Sequence, residues 1–317
     1  MAASSKRPHA VPKESFGPKP NSDGYYVGTI AGNLHWVTDT LYQAMFLTTP
    51  NGVVLVDAPP TIGHNLQRAI DAVADELGLP SQVTHLVYSH FHADHIGAAS
   101  LFGQDIERIA HSETLRLLQR AGDPNRPLPT TTFDDVHTVD VGGEKLQLAH
   151  QGPNHSPDNI FIFAPAQSTL MLVDVLFPGW VPFKSFAVSQ DIPGWFRAHD
   201  QALEYPFETL VAGHVGRLGT REDVLVQRSY LGDLNEATRD AIASVDPSSI
   251  YQELAPNAWA IFKKYMDTVS ERAAEPVVEK YENVLAGTDV YTFLHAAAML
   301  DTLRLDAGDL GPFGVHP

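Results

Sequence analysis

The stretch that most constrains this chain runs from Thr84 to Gly97 and centres on His90-Phe91-His92-Ala93-Asp94-His95. Leu86-Val87-Tyr88 before it is a short apolar run of strand formers. Gly97, Ala98 and Ala99 after it let a chain turn tightly and start a helix. The cluster therefore sits on the loop leaving the end of a strand. Four of its six side chains can bind a metal. His90 and His92 alternate, so in extended chain they project to the same side. Asp94 and His95 follow directly and can face a second centre. Imidazole and carboxylate are the ligands zinc takes. A solvated polar turn needs no such concentration of ligands, and burying them unpaired brings only a desolvation cost.

Three more positions repeat that placement. His155 lies on a loop between strands, in Gly152-Pro153-Asn154-His155-Ser156-Pro157-Asp158-Asn159. Asp174 closes the apolar run Leu170-Met171-Leu172-Val173, and His214 follows Leu210-Val211-Ala212-Gly213. In a layered α/β fold strand ends converge on one edge, where sites form. Asp57, at the end of Val53-Val54-Leu55-Val56, reads either as a turn-initiating carboxylate or as a hydrogen-bonding support for the metal loop. The other histidines (His35, His64, His85, His111, His137, His150, His199 and His295) have no partner signature and read as surface or core residues.

The rest of the chain organises around these ends. Residues 1–24, rich in Pro, Lys and Ser, read as a mobile arm. Strand pairs follow at Tyr25–Val27 with His35–Val37, and at Ala44–Thr48 with Val53–Asp57 around Pro50-Asn51-Gly52. Asn65–Leu77 has helical spacing, with Leu66, Ile70, Val73 and Leu77 on one side and Gly78 as its stop. A short strand at Ile109–Ala110 leads into a helix from Ser112. Thr138–Val141 with Lys145–Ala149, then Asn159–Phe163 with Thr169–Val175, form further pairs, and Leu210–Ala212 is a last strand. After Arg221 the pattern is helical: Val224–Val245, Asn257–Ala274, Pro276–Ala286 and Val290–Leu305. The expected division is a flexible arm over 1–24, a catalytic domain over 25–220 and a helical extension over 221–317.

Composition narrows the partners. The formal net charge of −17 argues against a nucleic-acid backbone, which needs Lys and Arg, and against anionic lipid. The chain has no cysteine, so disulfides, thiolate ligands and cysteine nucleophiles are excluded. Met1–Pro20 lacks the apolar core of a signal peptide and no window is apolar enough to span a bilayer, so a cytoplasmic location is expected. The expected partner is a small molecule, and a homodimer is possible.

On these residues the chain resembles the metallo-beta-lactamase superfamily over residues 25–220. Its His-X-His-X-Asp-His signature is matched in full by His90, His92, Asp94 and His95. The resemblance implies an α/β fold, a four-layer αβ/βα sandwich with metals at one edge of the paired sheets. It assigns His90, His92 and His155 to a first zinc, Asp94, His95 and His214 to a second, and Asp174 as a bridge between them. The bridging Asp174 is closer to the lactonase and glyoxalase II branches than to cysteine-containing β-lactamases. Asp174-Val175-Leu176-Phe177 is similar to the Gly-Asp-Thr-Leu-Phe element of thioesterases. Phe177 and Trp180 occupy the neighbourhood where lactonases carry a tyrosine.

The implied activity is hydrolysis of a small apolar lactone or ester by a metal-bridging hydroxide, with two zinc ions per chain and Asp94 orienting the hydroxide and protonating the leaving group. Opening of a β-lactam amide, and oxidation of a persulfide at a single iron, are the alternatives. The aromatic-rich run after Asp174 supplies expected pocket walls: Phe177, Trp180, Phe183 and Phe186, with Lys184 as a substrate contact. The C-terminal helices, with Tyr230, Tyr251, Trp259 and Tyr265, are expected to act as a lid or an oligomer interface.

Overall fold

The computed structural model describes residues 8–314. Strands β1 (Tyr26–Ala31), β2 (Leu34–Thr38), β3 (Gln43–Thr49) and β4 (Gly52–Val56) pair antiparallel in chain order. Helix α1 (Asn65–Leu77) then crosses to β5 (Val83–Val87), which runs parallel to β4. The short α2 (Ala93–Ile96), β6 (Glu107–His111), α3 (Ser112–Ala121) and β7 (Thr131–Phe133) complete a seven-stranded sheet. A second, five-stranded sheet has the order β12-β11-β10-β9-β8. It comprises β8 (Val136–Val141), β9 (Glu144–Ala149), β10 (Phe161–Ala164), β11 (Thr169–Met171) and, after α4 (Lys184–Val188) and α5 (Ile192–Glu204), β12 (Thr209–Val211), which is parallel to β11. Helices α6 (Arg221–Ser244), α7 (Ser248–Leu254), α8 (Ala258–Tyr281) and α9 (Thr288–Leu305) finish the chain.

The central strands β3, β4 and β10 are buried throughout because both faces are covered. In β3, Ala44 and Phe46 pack with Leu66, Ala69 and Ile70 of α1, while Met45 and Leu47 point the other way, onto Leu146, Leu148 and Ile162 of the second sheet. In β10 the same alternation sends Ile162 to the first sheet and Phe161 and Phe163 outward, to a core shared with α5, α6, α8 and α9. The result is helices, sheet, sheet, helices: the four-layer α/β sandwich with a C-terminal helical region. Gly78 caps α1 at φ 64°, a left-handed position that suits a residue without Cβ.

Several local expectations shift. Of the arm expected over 1–24, residues 1–7 lie outside the described residues. Further along, the segment is docked: buried Ser15 donates its Oγ–H to the Gly179 carbonyl (2.7 Å) and accepts the Trp180 indole N–H at its own carbonyl (3.0 Å). Composition could not reveal bonds to partners so distant in sequence. The strand expected over Thr169–Val175 ends at Met171, because the chain turns to put Asp174 at φ 61°. Pro276, read as the start of its own helix, lies inside α8. Both Pro276 and Arg272 are exposed, so the Arg272 carbonyl that loses its N–H partner can turn to water. Helix α5 was not foreseen, although Asp191 caps it by accepting the Gly194 N–H (2.8 Å) and Pro193 stands in its first turn. Among the described residues no helix is long and apolar enough to cross a membrane.

Candidate metal centre and substrate cavity

Two of the parallel strand pairs, β4 with β5 and β11 with β12, deliver the chemistry. Beyond β4 stands Asp57 and beyond β5 stand His90, His92, Asp94 and His95. Beyond β11 stands Asp174, beyond β12 His214, and His155 lies on the β9–β10 connection. These side chains meet. His95 Nε2 and His155 Nε2 each lie 3.1 Å from Asp174 Oδ2, His214 Nε2 is 3.0 Å from Asp174 Oδ1, and His90 Nε2 is 3.5 Å from Asp174 Oδ2. His92 Nδ1 faces His155 Nε2 at 2.9 Å, and His95 Nε2 faces His214 Nε2 at 3.1 Å. Asp94 Oδ2 is 3.5 Å from His95 Nε2 and 3.7 Å from His214 Nε2.

The seven residues fall into two groups, His90, His92, His155 and Asp174, and Asp94, His95 and His214. Within each group the potential ligand atoms lie within 4.8 Å of one another. This geometry fits cations better than protons. His90 Nε2 is buried with no hydrogen-bond partner, and each facing pair of imidazole nitrogens can share one proton at most. Burial and the neighbouring imidazoles push His90 well below its ordinary range, and burial with His155 pushes His92 down to about 4. Burial opposes charge on Asp174, yet His95, His155 and His214 hold it well below the carboxylate range. Against the same burial, Asp174 and Asp94 hold His214 up to about 10. The carboxylates thus call for positive charge at the spot where imidazoles converge. Nitrogen and oxygen donors in these two groups could hold a pair of divalent cations.

Outer contacts fix the donors. Asp57, fully buried at φ 62°, accepts the Ser89 N–H (2.8 Å) and stands 4.0 Å from His95 Nδ1; burial pushes its carboxyl up to about 6. Its place beneath the metal loop is the supporting one. Ser89 Oγ lies 3.0 Å from His90 Nδ1. Two buried glutamines, which carried no sequence signal, hold the distant loops. Gln43 donates to the carbonyls of His214, Val215 and Arg217 (3.4, 3.1 and 3.3 Å) and accepts the Ala212 N–H (3.3 Å). Gln227 of α6 accepts the Phe177 N–H (2.9 Å) and donates to the Val175 carbonyl and to His199 Nε2, both at 2.7 Å. His199 in turn bonds the Trp195 carbonyl (3.0 Å), and the Trp195 indole N–H bonds the carbonyl of Asp174 itself (2.8 Å). A left-handed backbone at a non-glycine residue persists only where its surroundings over-determine it, as they do at Asp174.

Over the cluster opens a cavity of about 620 Å³, within the ~300–1,000 Å³ typical of small-molecule sites. Of the expected walls, Phe177, Trp180 and Phe183 line it. Phe186 does not, and is corrected: residues 185–188 wind left-handed (φ 51–59°), which turns Phe186 into the core against Trp195, Phe196 and His295. Lys184 is exposed and also stands off the cavity. Tyr230, Tyr251, Trp259 and Tyr265 are absent from its walls; Tyr230 and Tyr265 are core residues. Sequence reading missed Tyr42, whose ring packs on His214 (4.5 Å) and whose O–H donates to Asp94 Oδ2 (3.4 Å). Burial and then Asp94 push that phenol up to about 12, so it keeps its proton. It also missed Val290 and Tyr291 of α9.

The profile of the metallo-beta-lactamase superfamily matches residues 37–214. Among curated proteins the chain is 25% identical over 200 residues to the 2,4-dinitroanisole O-demethylase subunit alpha of Nocardioides sp. (strain JS1661), covering 61% of this chain and 58% of that one. It is 24% identical over 194 residues to the metallo-beta-lactamase type 2 of Elizabethkingia meningoseptica, covering 61% and 76%. The match thus spans little more than half the length of the first relative. Among solved structures the metallo-beta-lactamase from Pontibacter korlensis superposes with a TM-score of 0.55 at 20% identity, covering 65% of this chain and 97% of that one. At that identity the likeness speaks for the fold alone.

Proposed function

This chain belongs to the metallo-beta-lactamase superfamily, and from that premise we propose that it is a dinuclear zinc hydrolase of small, uncharged lactones or esters. The observation that carries the reading is the convergence of five imidazoles and two carboxylates in two groups at the floor of a largely apolar cavity. His90, His92 and His155 would hold one cation, Asp94, His95 and His214 the other, and Asp174 both. When bound, such cations ionise water near neutral pH and polarise a carbonyl oxygen.

The chain's own residues do the rest. The side chain of Asp94 is 45% exposed toward the cavity, whereas that of Asp174 is almost wholly covered. Asp94 is therefore the carboxylate that can reach a reacting water, take up its proton and pass it to the leaving oxygen. Burial opposes its charge, but the neighbouring His214 and His95 imidazoles hold it down to about 2, so it starts ionised. Tyr42 donates to its Oδ2 and fixes its orientation. Phe177, Trp180 and Phe183 supply apolar walls for the acyl side.

The test is metal content, by plasma mass spectrometry, together with turnover of one purified sample on lactones, aryl esters, thioesters, a chromogenic cephalosporin, 2,4-dinitroanisole and a persulfide. Two of the matched relatives carry names that justify the cephalosporin and the ether. Expected are about two zinc ions per chain and lactone or ester turnover that chelation abolishes. Iron near one per chain with persulfide oxidation, or faster opening of the cephalosporin, would overturn the reading.

A further inference from the structure

The cavity has a second wall that the family match does not reach, since that match ends at residue 214. Ala286, Gly287, Val290 and Tyr291, from the α8–α9 corner, face the metal-side residues across the opening. The corner is fastened rather than loosely laid on. Ala286 N–H donates to the Gly179 carbonyl (2.9 Å) and Val181 N–H to the Ala286 carbonyl (3.0 Å). Farther along α9, His295 Nε2 bonds the Phe183 carbonyl (3.1 Å), and Tyr291 packs edge-on to Phe183 with ring centroids 5.3 Å apart. Trp180, the one indole in the lining, has its N–H occupied by the Ser15 carbonyl.

Among the described residues no lysine or arginine lines this cavity, and its two charged groups besides the histidines, Asp94 and Asp174, are both acidic. An anionic group on the non-reacting arm, held away from the metal floor against Val181, Ala286 and Val290, would meet apolar carbon and no cationic side chain. Burial of an unpaired carboxylate is strongly unfavourable. Of the corner residues, Gly287 is held at φ 77° and Tyr291 is packed on Phe183. Val290, 46% exposed at the first turn of α9, is the one whose side chain can change without disturbing a packed neighbour.

We propose that the α8–α9 corner selects substrates whose non-reacting arm is uncharged and apolar, and that Val290 is the residue on which this selection turns. The inference deepens the hydrolase reading and rests on it for the identity of the reacting end. Its test therefore has a binding arm that needs no turnover. Calorimetry compares 2-decanone with 9-oxodecanoate on the zinc-loaded protein, with octanoate as the reference for a carboxylate bound at the metals, and kinetics compare 4-nitrophenyl octanoate with the 4-nitrophenyl monoester of suberic acid, which differs by a terminal carboxylate. Wild type should favour the neutral member of each pair by on the order of 10-fold, since the half-exposed wall at Val290 leaves the charge partly solvated. Val290→Arg should narrow both ratios at least ~10-fold, by gain on the carboxylated member, and Val290→Trp should depress octanoate turnover more than acetate turnover. Equal affinity for the two ketones, or ratios that Val290→Arg leaves unchanged, would overturn the inference. No ester turnover with the ketone preference intact would overturn the hydrolase reading and leave the cavity assignment standing.

Discussion

Replacing Gln227 with leucine tests how far the C-terminal helices reach into the metal site. The side chain is buried and its amide serves three groups: the Phe177 N–H, the Val175 carbonyl and His199 Nε2. Leucine fills nearly the same volume and serves none of them. Each buried polar group left alone costs about 1–3 kcal/mol, so three would cost ~3–9 kcal/mol before relaxation. Regained apolar packing and small shifts bring the expected loss to roughly 4 kcal/mol, a large share of the ~5–15 kcal/mol that holds a domain folded. The same bonds secure the segment that starts at Asp174, whose own carbonyl is tied to Trp195 and through it to His199. Metal affinity should therefore fall about 10–100-fold, the usual consequence of losing a support behind a ligand. Urea denaturation reports the first quantity and chelator competition against the zinc-loaded protein the second. Gln227→Glu, which still accepts the Phe177 N–H but sets an oxygen against the Val175 carbonyl, should fall between wild type and leucine in both. A destabilised leucine variant that keeps wild-type metal affinity would refute the link from α6 to Asp174. A loss under about 1 kcal/mol would refute the hydrogen-bond reasoning itself.

Three further outcomes follow. Asp94→Asn, measured with both metals bound, should lower turnover by about 10²–10⁴-fold, the range for a removed proton carrier; full turnover would sink the role given to Asp94. Gly213 sits at φ 84°, and an added Cβ would stand 2.6 Å from Val173 Cγ1, so Gly213→Ala should displace His214 and reduce the metal bound per chain, checked by elemental analysis. Burial holds His199 and His295 down to about 4. Both stay neutral in the fold while the unfolded chain takes up protons below about 6.5. Stability is therefore full above that value and is lost as pH falls from about 6.5 toward 4, by on the order of 2 kcal/mol per histidine between pH 6.5 and 5. Urea midpoints at pH 7.5 and 5 test this, and His295→Gln should flatten the dependence by one histidine's share.

What the sequence made legible tracks the range of the interactions. His90, His92, Asp94 and His95 share one loop, so spacing alone groups them, and the strands before Asp174 and His214 are apolar runs whose ends converge in any sandwich of this kind. The four layers were expected from the family resemblance alone, and their physical reason is that β3, β4 and β10 are apolar on both faces. Phe186 was misread because proximity along the chain to Asp174 says nothing of direction. Four consecutive left-handed residues, which no non-glycine sequence announces, rotate it into the core. Tyr42, Gln43 and Gln227 were invisible for the opposite reason: each acts on a loop more than 45 residues away, and a lone glutamine carries no periodicity. The division has a physical consequence. The near candidate ligands are set by a motif, but the far ones, Asp174 and His214, are set by two glutamines outside the candidate set, on elements with no chemistry of their own. A sequence can therefore keep every residue of the metal signature and still fail to bring the second half of the site within reach of the first, if position 43 or 227 no longer offers an amide.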